Sequence, residues 1–241
     1  MTMATMTLDD LVTQLRSAYG DHLSAVVLYG SAAAGEHIPK QSDYNVLLLL
    51  RSIEAPALAA ASAVARAWND AGNPPPMTMT EDEWRRSSDV FPMEYADILE
   101  RHRVLYGTPP FDGISVSRGN LRLQLEQQVM GKLLQLRQGA LLAGRDAKRQ
   151  AELVSASLST MMVLFRAVLR LHGERPPEDN VALAERVGRL TGVDAAPFVR
   201  AVRHVRSESR LGGDEAARVL ADYVTGIERL EQYLDRYPST G

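Results

Sequence analysis

The sequence predicts an α/β domain followed by an all-α helical bundle. In roughly the first hundred residues, segments with helical hydrophobic spacing alternate with short apolar runs typical of buried strands. From Arg118 to Tyr237 only helical patterns occur. Between these parts lies a stretch containing proline and glycine, residues 107–117. We therefore predict two domains, residues 1–112 and 113–241.

Three strands are expected in the first domain. The runs "SAVVLYG" and "YNVLLLL" are rich in β-branched or aliphatic residues, as in strands buried inside a sheet. The run "MTMT", residues 77–80, is a plausible third strand. These short runs are separated by helical segments, which favours an α/β arrangement.

The helices of the first domain follow from spacing and capping residues. Thr7 predicts the N-cap of a helix over residues 8–19, with acidic residues in its first turn. "AAAGEHIPK" predicts a short helix that ends at Pro39, and the alanine-rich residues 55–72 predict a longer one. Thr80 caps a further short helix over "EDEWRRSSDVF".

The second domain shows a succession of amphipathic helices. Leu121, Leu125, Val129, Leu133 and Leu136 share one face of the first of them. The predicted helices span residues 118–143, 149–172, 179–191, 195–207 and 214–236. Helices of this length joined by short breaks predict a bundle.

Composition narrows the function classes. The net charge is −3, so there is no global basic field that would indicate nucleic-acid binding. The chain has no cysteine, which excludes disulfides, thiolate zinc sites and a cysteine nucleophile. We find no secretory signal and no apolar stretch of about 18 residues, the length that spans a bilayer. We therefore expect a soluble cytoplasmic protein without a membrane partner.

The stretch "VVLYGSAAAGEHIPKQSDYNVLLLL" predicts a phosphate and metal site. The Gly30-Ser31 turn after a strand offers backbone N–H groups and a hydroxyl to an anion. Asp43 offers a carboxylate to magnesium, a cation that prefers oxygen ligands. In a strand, Asp43 and Asn45 point to one face and Tyr44 to the other. Asn45 can ligate a metal through its amide oxygen but supplies no charge.

On these residues the chain resembles the nucleotidyltransferase superfamily, which includes polymerase β and the aminoglycoside adenylyltransferases. Its signature is a Gly-Ser turn, about ten residues, and Asp-x-Asp on the next strand. Gly30, Ser31 and Asp43 match, whereas Asn45 departs from the second carboxylate. The resemblance implies a short mixed sheet, Mg²⁺, and a nucleoside triphosphate co-substrate, with ATP as first choice. It also implies transfer of a nucleoside monophosphate to a hydroxyl of an aminoglycoside-like or other acceptor.

The resemblance extends to "VFPMEYADILERHRVLYG", residues 90–107, where it implies that Glu94 is the general base. Asp97 and Glu100, one helical turn on, are alternative acids. Lys132 and Arg137, on the first bundle helix, are candidates to reach the triphosphate. Solvated charges on an exposed helix face are an equally acceptable interpretation of this pair.

Two other functions are compatible with the sequence. The neutral Asn45 favours a catalytically impaired nucleotide-binding or regulatory protein on the same fold. A toxin–antitoxin type component, or a transferase that modifies a partner protein, is the second alternative. The bundle helices could also pair across a homodimer.

Overall fold

The computed structural model of the chain describes residues 6–30, 32–33 and 43–238. The chain divides into two compact units, Met1–Val116 and Ser117–Gly241. The predicted domain boundary, between residues 112 and 113, lies four residues before this division and stays a prediction. The short helix expected to end at Pro39 falls outside the described residues.

The first unit is a four-stranded sheet with helices on both faces. Its elements are α1 (Leu8–Tyr19), a short 3-10 helix (Gly20–His22), β1 (Leu23–Tyr29), β2 (Asn45–Leu50), α2 (Ala55–Asp70), β3 (Met77–Thr80), α3 (Glu81–Arg86), α4 (Pro92–Glu100) and β4 (His102–Gly107). The strand order is β3-β2-β1-β4. β1 runs antiparallel to β2 and to β4, and β2 runs parallel to β3. The sheet is mixed, which confirms the expected fold class.

Local sequence signals set the helix starts. Thr7 and Thr80 each form a capping box, with Asp10 and Glu83 respectively, so both predicted N-caps are confirmed. In each box the threonine hydroxyl accepts from the backbone N–H three residues on, and the acid accepts from the threonine N–H. These reciprocal bonds use backbone donors that a helix start otherwise leaves unpaired.

The fourth strand, β4, was not predicted from the sequence. Its residues are largely exposed, and its polar start, His102-Arg103, lacks the apolar pattern of a buried strand. It forms because its backbone pairs with β1, from Ala25 opposite Gly107 to Tyr29 opposite His102. An edge strand of this kind depends on a long-range partner, so its own sequence predicts it poorly.

The two faces of the sheet pack on different helices. On one face, alternate residues of β1 and β2 contact α1 and α2, around the buried indole of Trp68. On the other face, the intervening residues contact α3 and α4, around Trp84, Tyr95 and Ile98. Trp84 and Tyr95 stack with ring centroids 4.0 Å apart, and the Tyr95 hydroxyl donates to the Trp84 carbonyl oxygen at 2.6 Å. This contact joins α4 to α3, and both helices pack on this face of the sheet.

The second unit is the predicted helical bundle, and its described residues form no strand. Its helices are α5 (Arg118–Ala143), α6 (Ala147–Leu171), α7 (Asn180–Thr191), α8 (Ala196–Val205) and α9 (Asp214–Asp235). The predicted helix ends agree within two residues. The side chains of Ser117, Asp146 and Asp179 cap α5, α6 and α7.

Helix α6 contradicts the expectation that the chain has no apolar stretch long enough to span a bilayer. It contains an 18-residue window of mean hydropathy 1.5, so by length and composition it could cross a membrane. However, 56% of that window is buried inside the structure. Its buried residues, which include Met161, Phe165 and Val168, contact the other bundle helices. The apolar composition of α6 is accounted for by its central place in the bundle.

Candidate functional site

The site predicted from the sequence lies at the edge of the sheet where β1 ends and β2 begins. Tyr29, the last residue of β1, lies opposite Asn45 of β2 and opposite His102 of β4. The termini of three adjacent strands therefore meet at this edge. Helix α4 packs on the same face of the sheet as Tyr29. Ser31, the predicted phosphate-binding hydroxyl, lies outside the described residues.

Gly30 turns the chain away from β1 with φ of +75°. This left-handed conformation costs other L-residues about 1–2 kcal/mol, so the position favours glycine. A Cβ built on Gly30 would lie 3.5 Å from Nδ2 of Asn45 and 3.7 Å from Oδ2 of Asp97. The turn thus lies directly beside an amide on β2 and a carboxylate on α4.

Glu94 and Asp97, two carboxylates of α4, affect the pKa of Tyr29 at the end of β1. Burial, and then the negative charges of Asp97 and Glu94, raise the pKa of Tyr29 from 10.0 to about 12. Glu94 and Asp97 are three residues apart and hence neighbours on the helix surface. Met93, Tyr95 and Ile98 are buried on the same helix, and their packing directs α4 toward the sheet.

Asp97 is more closely associated with this edge than the sequence indicated. It forms an ion pair with Arg101, one turn along, with 3.1 Å between Oδ1 and the guanidinium. Both side chains are largely shielded from solvent. The sequence marked Asp97 only as an alternative acid and gave no role to Arg101. The i, i+4 spacing of these two residues was the one signal available.

Asp43 is exposed and lies two residues before Asn45, the first residue of β2, so it is not itself a strand residue. Its neighbour Tyr44 is held by one contact of its backbone N–H and one contact of its ring. The Tyr44 N–H donates to Oδ1 of Asn73 at 3.1 Å, and its ring lies 6.0 Å from that of Trp68. Tyr44 packs on the α1–α2 face, as predicted. Asn73 is buried, and no local sequence pattern indicated that it anchors the segment beside Asp43.

The basic candidates of α5 belong to the second unit. Lys132 is half-buried and donates from Nζ to Oε1 of Gln135 at 3.2 Å. Arg137 forms an ion pair of 2.8 Å with Glu228 of α9, so its positive charge is already paired within the bundle. The role of Lys132 toward a triphosphate stays a prediction.

The metal-ligating residues predicted from the sequence are Asp43 and Asn45. Both offer oxygen, the ligand type that Mg²⁺ prefers, and such sites commonly use one or two carboxylates plus substrate phosphates. Among residues 6–30, 32–33 and 43–238, no three His, Cys, Asp or Glu side chains form a group that could hold a metal. Asp43 and Asn45 stay predicted ligands, with one carboxylate and one amide oxygen between them.

The chain matches no protein-family model, and no curated protein matches it in sequence. It is similar in structure to the spectinomycin adenyltransferase AAD(9) from Enterococcus faecialis, solved with ATP and spectinomycin. The TM-score is 0.60, and the likeness covers 95% of this chain and 100% of that one at 10% sequence identity. At this identity the likeness concerns the fold. It confirms a nucleotidyltransferase fold of the kind found in an adenyltransferase.

Proposed function

We propose that this chain is a magnesium-dependent nucleotidyltransferase. It transfers a nucleoside monophosphate, with ATP as the first candidate donor, to a hydroxyl of a small aminoglycoside-like acceptor. Two observations support this proposal: the fold shared with an adenyltransferase, and the Gly30 turn beside Asn45 and Asp97. The fold alone would not assign an activity, so the proposal depends on this edge of the sheet.

The proposed phosphate contacts come from the turn after β1. With φ of +75°, Gly30 directs the chain away from the sheet, and its missing side chain leaves room for close approach of an anion. Ser31 would add its hydroxyl.

The proposed metal ligands are Asp43 and Asn45. A magnesium ion bound there would neutralise charge on the triphosphate and orient it for attack. Asp43 contributes one negative charge, and Asn45 contributes an amide oxygen. Alone, these two ligands would hold the metal weakly, and phosphate oxygens of the substrate would strengthen its binding, because Mg²⁺ binds through carboxylates and phosphates together.

In the proposed reaction, Glu94 accepts the proton of the acceptor hydroxyl. The hydroxyl oxygen then forms a bond to the α-phosphorus, the bond from that phosphorus to the β-phosphate oxygen breaks, and pyrophosphate leaves. A carboxylate suits this role if it lies within hydrogen-bonding reach of the hydroxyl. Glu94 is near enough to the end of β1 to act on the Tyr29 hydroxyl electrostatically.

Calorimetric titration tests the proposal. The native chain should bind ATP or GTP more tightly with Mg²⁺ than without, and Asp43→Asn should abolish the difference. Asp70→Asn, which removes an exposed aspartate at the end of α2, is the matched control and should change nothing. Absence of nucleotide binding in the native chain would overturn the proposal.

A nucleotide-binding protein without turnover is the second candidate. Two facts favour it: Asn45 carries no charge, and Arg101 already neutralises Asp97. Pyrophosphate release with a panel of aminoglycoside-like acceptors separates the two candidates. Nucleotide binding together with pyrophosphate release in the presence of any acceptor supports the transferase. Nucleotide binding without pyrophosphate release across the whole panel favours the regulatory protein.

A further inference from the structure

His102, Tyr29 and Asn45 form a row across three strands at the edge of the sheet. Tyr29 of β1 lies directly opposite Asn45 of β2 and directly opposite His102 of β4. Residues paired in this way in antiparallel strands carry their side chains on one face of the sheet, with Cβ atoms about 4.5–5.5 Å apart. Tyr29 packs on the face that α3 and α4 cover. His102 therefore lies on that face too, beside the strand end that leads into the Gly30 turn.

A hydrogen bond determines which nitrogen of the His102 ring carries the proton. Its Nδ1 lies 2.8 Å from the carbonyl oxygen of Ile98. Because a carbonyl oxygen can only accept, Nδ1 donates and carries the proton. In the neutral ring Nε2 is then the unprotonated nitrogen and keeps its lone pair. Within residues 6–30, 32–33 and 43–238, this Nε2 has no hydrogen-bond partner.

The His102 ring is held in one orientation although the residue is exposed. The rings of His102 and Phe111 meet at an interplanar angle of 86°, with centroids 4.9 Å apart. This edge contact and the hydrogen bond to Ile98 together orient the imidazole. The residue is nevertheless exposed, and Nε2 lies across the ring from the nitrogen that binds Ile98. A hydroxyl group of a bound molecule can therefore approach this nitrogen.

An unprotonated ring nitrogen held in this way is suited to accept a proton. General-base catalysis is most effective when the base titrates near the working pH, and histidine is the residue that most often supplies it. Ordinary imidazoles titrate near ~6.5 and ordinary glutamate carboxylates near ~4.3, so an imidazole is the stronger base of the two. The titratable and charged groups on the elements packed around His102 are Tyr29, Glu94, Asp97, Glu100, Arg101 and Asp112. Because several of these titrate, variants are needed to assign a pH profile to His102.

We propose that His102 is a second general base of this site and accepts the proton of the acceptor hydroxyl at neutral pH. The inference rests on the proposed transferase activity. The O–H bond of the acceptor breaks as Nε2 takes the proton, the oxygen bonds to the α-phosphorus, and pyrophosphate leaves with the electron pair of the broken P–O bond. The imidazolium then gives its proton to water. Glu94 keeps its role as base in mild acid, where imidazoles are protonated.

His102→Asn separates proton transfer from support of the fold. Asparagine can still donate to the Ile98 carbonyl but has no basic nitrogen. At neutral pH the variant should release pyrophosphate about 100-fold more slowly or worse, with nucleotide affinity by calorimetry unchanged. It should also lack the loss of rate in mild acid that the native chain shows. Arg103→Gln is the matched control, since Arg103 is exposed on the same strand and pairs with Leu28, on the other face. Circular dichroism confirms that both variants are folded.

Chemical modification tests His102 without turnover. Diethylpyrocarbonate modifies an unprotonated imidazole nitrogen, and peptide mapping locates the product. His102 should react in the free chain, and saturating ATP with Mg²⁺ should slow its reaction. His22, at the opposite end of β1, is the internal reference and should not respond to nucleotide. A native chain that binds no nucleotide, or releases no pyrophosphate, defeats the transferase proposal and this inference with it. Unprotected His102 in a chain that binds nucleotide, or equal rates of the native chain and His102→Asn, defeats this inference alone.

Discussion

The side-chain amide of Asn45 and the carboxylate of Asp97 flank the same turn: a Cβ at Gly30 would lie 3.5 Å from one and 3.7 Å from the other. The two residues come from a strand and a helix more than fifty residues apart in the chain. An aspartate at position 45 would place a second negative charge beside Asp97. The neutral amide is therefore consistent with its surroundings.

Asn45→Asp should raise the affinity for the magnesium–nucleotide complex and lower stability without the metal. The added carboxylate is a better metal ligand but repels Asp97 when no cation is present. Thermal unfolding with and without Mg²⁺ and nucleotide measures both effects. The double variant Asn45→Asp with Asp97→Asn keeps the net charge and should recover the metal-free stability. A single variant as stable as the native chain would contradict this expectation.

Gly30→Ala should destabilise the first unit by about 1–2 kcal/mol, because alanine is strained at positive φ. The contacts at 3.5 and 3.7 Å are ordinary, so strain rather than collision causes the loss. Denaturant unfolding measures it. Gly72→Ala is the matched control: its φ is +93° and a Cβ there meets nothing within 4 Å. Both changes should cost stability, but only Gly30→Ala should also weaken nucleotide binding.

Asn73→Ala should lower the free energy of unfolding by about 1–3 kcal/mol, because it removes the buried acceptor of the Tyr44 N–H. The loss should also weaken Mg²⁺-dependent nucleotide binding, since Asp43 adjoins Tyr44. Chemical denaturation and calorimetry measure the two effects. Asn69→Ala, at an exposed position of α2, should leave stability within about 0.5 kcal/mol. Equal effects of the two changes would show that Asn73 does not anchor this segment.

The Tyr29 hydroxyl should report on the α4 carboxylates. Its pKa is about 12 in the folded chain against 10.0 ordinarily, so it stabilises the fold below pH 10.0 and this contribution is lost as the pH rises through about 12. Asp97→Asn should lower this pKa, while burial keeps it above 10.0. Ultraviolet titration, with Tyr29→Phe for subtraction, measures it. Asp89→Asn, whose charge acts on Tyr95 instead, should leave Tyr29 unchanged.

His172 should make the stability of the bundle sensitive to mild acid. Its Nε2 lies 2.8 Å from the Tyr233 hydroxyl, and burial lowers its pKa below 6.5, against the opposing effect of Glu174 and with a smaller contribution from Arg118. Its neutral form stabilises the fold above pH 6.5, and this contribution is lost as the pH falls below that value. Thermal unfolding from pH 8 to 5 measures it. His172→Gln should flatten the profile.

The sequence by itself determined most of the secondary structure. Thr7, Thr80 and the apolar spacing of α5 were sufficient because capping and hydrophobic periodicity act over one or two helical turns. The absence of cysteine set chemical limits that no fold could change. The Gly30-Ser31 and Asp43 spacing pointed to a nucleotidyltransferase fold, which the structure confirmed.

The tertiary structure alone decided which distant residues meet. β4 exists because β1 pairs with it, and Asp97 reaches Gly30 because α4 packs on one face of the sheet. Packing likewise decided which of the two apolar sides of α5 is buried and which is left exposed. Periodicity shows that a face is apolar, whereas the partner that covers it depends on the arrangement of the whole chain.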